Sequence, residues 1–223
     1  MDLQLAGKRA LITGSTSGIG FATARSLATE GAEIILNGRS RSGVTAAVER
    51  LLEAVPGARV SGIAADLSSV TGCETLTAAC PDVDILVNNM GIFEPKPFEE
   101  IADEEWFDFF ETNVMSGVRL TRHYLPAMKA RNWGRVVFIS SESGICPPAE
   151  MVHYGMTKAA QLSVARGAAA HGHDLPIPAI HQPVRLAGHR VAVEPAQVPP
   201  HKGLTRVEQQ VLKALGIGRR ARG

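Results

Sequence analysis

Short apolar runs alternate along the chain with longer segments whose apolar residues recur every three or four positions. Arg9-Ala10-Leu11-Ile12-Thr13 is the first short run. From about Ile19 to Glu30, Phe21, Ala24, Leu27 and Ala28 form one face of a helix, and Gly31 supplies its stop. Glu33-Ile34-Ile35-Leu36 predicts a second strand, Val44 to Ala54 a helix closed by Pro56-Gly57, and Val60 to Ala64 a third strand. Ser68 or Ser69 is placed to cap a weak helix running to Cys80. Asp84-Ile85-Leu86-Val87 reads as the fourth strand. A long helix is expected from Asp103 to about Arg131, with Trp106, Phe109, Phe110, Val114, Leu120 and Leu125 towards the core and Pro126 as a possible kink. Val136-Val137-Phe138-Ile139 is the fifth strand, and a last helix runs from Val152 to about Ala170.

Strands this short and continuously apolar are buried on both faces, as in a parallel sheet covered by helices. Strict β/α alternation predicts an α/β, doubly wound fold. The 45% apolar content is enough for a core, and a net charge of +1 gives no global attraction to nucleic acid. No apolar run approaches the ~20 residues of a membrane-spanning helix. Met1 to Leu11 reads as a lead-in to the first strand, without the apolar core of a signal peptide. Three cysteines, Cys73, Cys80 and Cys146, are too few for a disulfide framework and fit a reducing cytoplasm.

The averages conceal a break. Residues 1–165 hold 14 Lys+Arg and 19 Asp+Glu, whereas residues 166–223 hold 9 and 3. All 11 aromatic residues precede residue 166, while 5 of the 7 histidines follow it. The chain therefore divides into a domain over 1–165 and an atypical Pro/Arg/His-rich tail over 166–223.

Thr13-Gly14-Ser15-Thr16-Ser17-Gly18-Ile19-Gly20 joins the first strand to the first helix. Glycines there permit a tight turn and let a pyrophosphate approach the backbone N–H groups at the helix start. Four further stretches follow in order: Asp66-Leu67 after the third strand, Asn88-Asn89-Met90-Gly91 after the fourth, Asn113 within the long helix, and Ser141 followed by Tyr154-x-x-x-Lys158. Together they resemble the short-chain dehydrogenase/reductase family over roughly residues 5–165. Met90 stands where the family's Asn-Asn-Ala-Gly has alanine, a packing change.

The resemblance implies a Rossmann-like domain and an NAD(P)-dependent oxidoreductase acting on a small carbonyl or alcohol. It implies catalytic roles for Asn113, Ser141, Tyr154 and Lys158. It assigns cofactor contacts to Gly14, Ser15, Ser17, Gly18, Ile19, Gly20, Arg39, Asp66, Leu67, Asn88 and Gly91, as well as Tyr154 and Lys158. Four residues apart on a helix, Tyr154 and Lys158 share a face, and the lysine charge is expected to lower the pKa of the phenol. Ser141 would hold the substrate oxygen, and Asn113 a water leading to Lys158. Because the second strand ends in Asn37-Gly38-Arg39-Ser40-Arg41 with no acid, Arg39 favours NADP over NAD. His153 and Cys146 are weaker pocket candidates. The long helix and the last helix resemble those that join subunits of a homo-oligomer in the family.

After about Arg166 the resemblance fails. No Pro-Gly-ended strand over the nicotinamide and no closing strand is legible, so an exposed sheet edge is expected. Six prolines, one strand-like piece (His189 to Val193) and one helix-like piece (Leu204 to Leu215) precede Arg219-Arg220-Ala221-Arg222. A reading-frame shift would produce such an abrupt change of composition; a divergent basic or disordered extension is the alternative. If the lost segment is the one that covers nicotinamide and substrate, the chain is a catalytically impaired nucleotide-binding or interaction protein.

Overall fold

The computed structural model describes residues 4–171 and 179–182. Six strands form one parallel sheet: β1 (Arg9–Ile12), β2 (Glu33–Gly38), β3 (Val60–Ala64), β4 (Ile85–Asn88), β5 (Arg135–Ser141) and β6 (Ala179–Gln182). Their spatial order is β3-β2-β1-β4-β5-β6, so the order reverses between β1 and β4. Such a reversal opens a crevice at the carboxyl ends of the strands, where α/β sheets bind ligands.

Six helices connect the strands: α1 (Gly18–Thr29), α2 (Arg41–Ala54), α3 (Val70–Ala79), α4 (Asp103–Phe110), α5 (Ser116–Ala130) and α6 (Val152–His171). Alternate strand residues feed two cores. Ala10, Ile12, Ile34, Leu36, Val87 and Ile139 pack with Ala24, Leu27, Ala47 and Leu51 of α1 and α2. Leu11, Ile35, Leu86, Val136 and Phe138 pack on the other face with Leu76, Leu120, Tyr124, Met128 and Ala165. The expected doubly wound architecture is thus present. Ser69 rather than Ser68 caps α3, accepting from the Gly72 N–H at 3.0 Å.

Two expectations need correction. The helix read from Asp103 to Arg131 is interrupted by a π turn over Glu111–Met115. That turn brings Thr112, Asn113 and Val114 inward in succession and shifts the buried stripe to Ser116, Leu120, Tyr124 and Met128. Phe110, expected inside, is 36% exposed, because a constant helical period carried across the turn points to the wrong residues.

The second correction concerns the end of the sheet. The strand-like piece read beyond residue 166 was His189 to Val193, whereas it is β6, at Ala179–Gln182, that pairs with β5 in the register Phe138↔Ala179 to Ser141↔Gln182. Ala-Ile-His-Gln between two prolines carries no apolar run, whereas ladder pairing needs only backbone groups. The β5 edge is therefore paired. The strand-like piece at His189, the helix-like piece at Leu204 and the basic end at Arg219 lie outside the described residues.

Candidate active site

The glycine loop is built by close contact. Gly14 and Gly18 have φ of +58° and +56°, a region that glycine enters without penalty. A Cβ on Gly20 would lie 2.6 Å from both Asn89 Nδ2 and the Gly14 oxygen, so only glycine lets α1 start against this loop. Ser17 precedes α1 and makes no side-chain capping bond. The N–H groups of the first turn, at Gly18, Ile19 and Gly20, therefore receive no side-chain cap from Ser17. Open space surrounds the position a Gly18 Cβ would take.

Ser15 has a different job. Its N–H donates to the Asn37 oxygen at 2.9 Å and its hydroxyl to the Ile12 oxygen at 2.7 Å, in full burial. Asn37, 1% exposed, accepts from the Gly14 N–H and donates to the Ile63 and Ala65 oxygens at 3.2 and 3.1 Å. Two residues on, Arg39 is exposed at the end of β2. Asp66 is exposed beyond β3 and accepts from the Ser68 N–H and hydroxyl, while Leu67 is fully buried. These side chains line the carboxyl ends of β1, β2 and β3, with Arg39 and Asp66 available to a ligand.

Across the crevice, Asn89 donates to the oxygens of Thr13 and Gly14 at 2.9 and 3.0 Å. The Thr13 hydroxyl accepts from the N–H groups of Asn89 and Met90 at 2.9 and 3.0 Å. The loops after β1 and β4 are thus locked together. Asn88 turns inward and donates to the Thr121 hydroxyl at 3.2 Å. Gly91 is exposed, and a Cβ there would come within 3.3 Å of Asn113 Oδ1 and 3.6 Å of Lys158 Nζ. Asn113, from the π turn, pins the same loop, accepting from the Ile92 N–H at 2.7 Å and donating to the Ile92 oxygen at 2.9 Å.

Ser141 ends β5 and accepts from the Ser143 N–H at 3.1 Å. Its hydroxyl is also hydrogen-bonded to the Tyr154 phenol. Lys158 is 4% exposed, donates to the Ile139 oxygen at 2.9 Å and lies 5.4 Å from the centroid of the Tyr154 ring. Burial pushes its pKa down to about 8. The phenol departs from expectation: burial raises the Tyr154 pKa, and the Ser141 bond offsets only part of that. Ser141, Tyr154 and Lys158 therefore form one cluster beside the crevice, joined to Asn113 through α6.

The sequence model of the short chain dehydrogenase family matches residues 8–177. The chain belongs to this family. It is 53% identical over 169 residues to the Bacillus subtilis oxidoreductase YvaG, a match covering 76% of this chain and 64% of the relative. It is 36% identical over 174 residues to the D-beta-hydroxybutyrate dehydrogenase of Cupriavidus necator, covering 73% and 67%. Among solved structures it resembles the L-sorbose reductase of Gluconobacter frateurii complexed with NADPH and L-sorbose, at 34% identity and a TM-score of 0.73 over 81% and 71% of the two chains. The chain thus spans a little under two thirds of the length of YvaG.

Within this member of the short chain dehydrogenase family, the motifs do not mark the residues that hold the loops. Asn37, Asn89, Thr157 and Gln161 are such supports; Thr157 accepts from Asn113 Nδ2 at 3.0 Å and donates to the Tyr154 oxygen at 2.7 Å. Gln161 carried a signal, three positions beyond Lys158 on the same helical face. His153 does not reach the crevice: it is fully buried, 4.1 Å from the Phe109 ring and 5.9 Å from Trp106. Cys146 is exposed, and Met90 packs against the α3–α5 core as expected of a packing change. Among the described residues no group of His, Cys, Asp and Glu could hold a metal ion, and no helix is long and apolar enough to cross a membrane.

Proposed function

We propose that the chain is an oxidoreductase that moves a hydride between a nicotinamide dinucleotide, NADP in preference to NAD, and a small carbonyl/alcohol pair. The convergence of Ser141, Tyr154 and Lys158 beside the β1/β4 crevice carries this reading. The residues present fit such a cofactor: an uncapped α1 N-terminus for the pyrophosphate, Asp66 near the adenine, and Lys158 and Gly91 towards the nicotinamide end. When bound, the nicotinamide supplies or takes up the hydride. Tyr154 donates the proton to the carbonyl oxygen, and Ser141 orients that oxygen. A phenol held above its ordinary pKa keeps its proton at neutral pH, which suits carbonyl reduction. Lys158 holds positive charge near the phenolate that forms.

NADP is preferred because Asn37 is used as a buried bolt and Arg39 is the first exposed charge beyond β2. The NADPH of the L-sorbose reductase complex agrees with this choice. A second copy of the chain is the expected partner: Phe107 on α4 is 70% exposed, on the helical segment that resembles a subunit contact. The domain is assigned to residues 1–165 and the tail to the rest.

One observation favours a second reading, nucleotide binding without turnover. The match leaves over a third of YvaG without a counterpart in this chain. Titration of monodisperse protein with NADPH and then NADH, followed by nicotinamide fluorescence and thermal stability, separates the cases. Saturable binding with turnover in a carbonyl screen, abolished by Tyr154→Phe, supports the enzyme. Binding without turnover supports the second reading, and no binding by folded protein overturns both.

A further inference from the structure

Gln161 lies on α6 beyond Lys158 and is 2% exposed. Its Oε1 accepts from Lys158 Nζ at 3.2 Å, and its Nε2 donates to the main-chain oxygen of Asn113 at 2.6 Å. This orientation has no alternative. An ammonium only donates and a carbonyl only accepts, so the amide oxygen faces Lys158 and the nitrogen faces Asn113. The Asn113 side chain is committed elsewhere, to Ile92 and Thr157. Its main-chain oxygen is open to a side-chain donor because the π turn breaks the regular helical ladder.

We propose that Gln161 is a positioning residue of the site, whose amide ties the Lys158 ammonium to the Asn113 carbonyl and so fixes how Lys158 presents its remaining proton towards Tyr154. The role rests on the reading of Lys158 as the partner of Tyr154. The Ile139 oxygen and Gln161 Oε1 take two of the three ammonium protons, which leaves one, with the Tyr154 ring centroid 5.4 Å from Nζ. A direct protein link thereby stands between Lys158 and Asn113. Sequence pattern assigns no such role to this position, and a leucine there would fill the same helical face.

Titration of Lys158 itself tests the proposal without any substrate. The chain has six lysines, so NMR of protein carrying carbon-13 lysine gives a countable set of signals, and Lys158→Met identifies the one required. The titratable group facing Lys158 is Tyr154, from the same helix. The neighbouring elements present Ile139, Asn113 and Gly91, which carry no charge. Gln161→Leu removes an acceptor from the charged form, so its Lys158 midpoint should fall by about one pH unit. Gln161→Glu places a carboxylate there, so its midpoint should rise by a similar amount. Loss of packing alone would not move the two variants in opposite directions. A midpoint unchanged in either folded variant overturns the proposal. In the wild type, a Gln161 side-chain amide exchanging with solvent as fast as a free glutamine overturns it with no variant at all. A chain that reduces no carbonyl leaves these titrations intact, so the two proposals fail separately.

Discussion

Lys158 Nζ donates to the main-chain oxygen of Ile139 at 2.9 Å, from α6 to strand β5, at a position 4% exposed to solvent. A buried ammonium held there costs stability, and the cost depends on pH. Burial puts its pKa at about 8 in the folded protein, against 10.5 for an ordinary lysine. Between those values the unfolded chain binds more protons than the folded one, so this group makes stability rise with pH. Below pH 8 the full cost applies, and above 10.5 none remains. Lys158→Met lacks this component. Relative to that variant, the wild type should gain stability between pH 7.5 and 10, by at most roughly 3 kcal/mol. Urea unfolding of both proteins across this range is the check, and parallel pH profiles would show that Lys158 is not buried as a cation.

The two glycines of the α1 loop should respond differently to alanine. At Gly20 the new methyl meets Asn89 Nδ2 and the Gly14 oxygen at 2.6 Å, atoms already bonded to each other. The loop must move, so Gly20→Ala should lose about 2 kcal/mol of stability. At Gly18 the methyl meets open space, and the cost is the strain of φ +56°, about 1 kcal/mol. That open space is where we place the pyrophosphate. Gly18→Ala should therefore stay folded yet bind NADPH at least ~10-fold more weakly. Equal NADPH affinity in the wild type and Gly18→Ala would move the phosphate site elsewhere.

Most of this fold was legible because its strands are continuous apolar runs and its helices keep one period. Val60–Ala64 agrees to the residue, and α6 agrees to within one. Legibility failed where those signals fail. The π turn at Glu111–Met115 changes the period inside one helical run, which misplaced Phe110 and hid Tyr124 and Met128. Strand β6 is specified by its ladder with β5 rather than by its own residues. The candidate site residues were visible through ordered motifs, but Asn37 and Asn89 act through bonds to oxygens far away in sequence, and no local pattern encodes such pairs.

Arg39 should decide between the two nicotinamide dinucleotides. It is exposed beyond Gly38, and a Cβ on Gly38 would lie 2.5 Å from the Thr16 methyl, so the backbone of β2 runs close under the glycine loop. A guanidinium at that end of β2 suits a 2′-phosphate, and a charged hydrogen bond of this kind is worth ~1.5–3 kcal/mol. Arg39→Ala should weaken NADPH binding about 10-fold or more while leaving NADH nearly unchanged. Fluorescence titration with each cofactor measures both constants. An equal loss for the two would mean that Arg39 supports the loop rather than reading the phosphate.

Ser141 has two duties that one substitution can separate. Its oxygen accepts from the Ser143 N–H at 3.1 Å, which directs its own proton towards the Tyr154 phenol. Burial raises the phenol pKa and this bond opposes the rise, so Ser141→Ala should raise it further. The titration is readable by tyrosinate absorbance because the chain has two tyrosines. The other, Tyr124, is 1% exposed and donates to the Cys80 oxygen at 2.6 Å, and its burial holds it far above the ordinary phenol range. The first tyrosinate to form below the alkaline limit of folding is therefore Tyr154. Carbonyl turnover should fall about 100-fold, since a donor to the substrate oxygen is lost, while NADPH affinity stays within about two-fold. If the absorbance midpoint of the folded variant stays at the wild-type value, Ser141 does not tune Tyr154, and any loss of turnover belongs to its contact with the substrate alone.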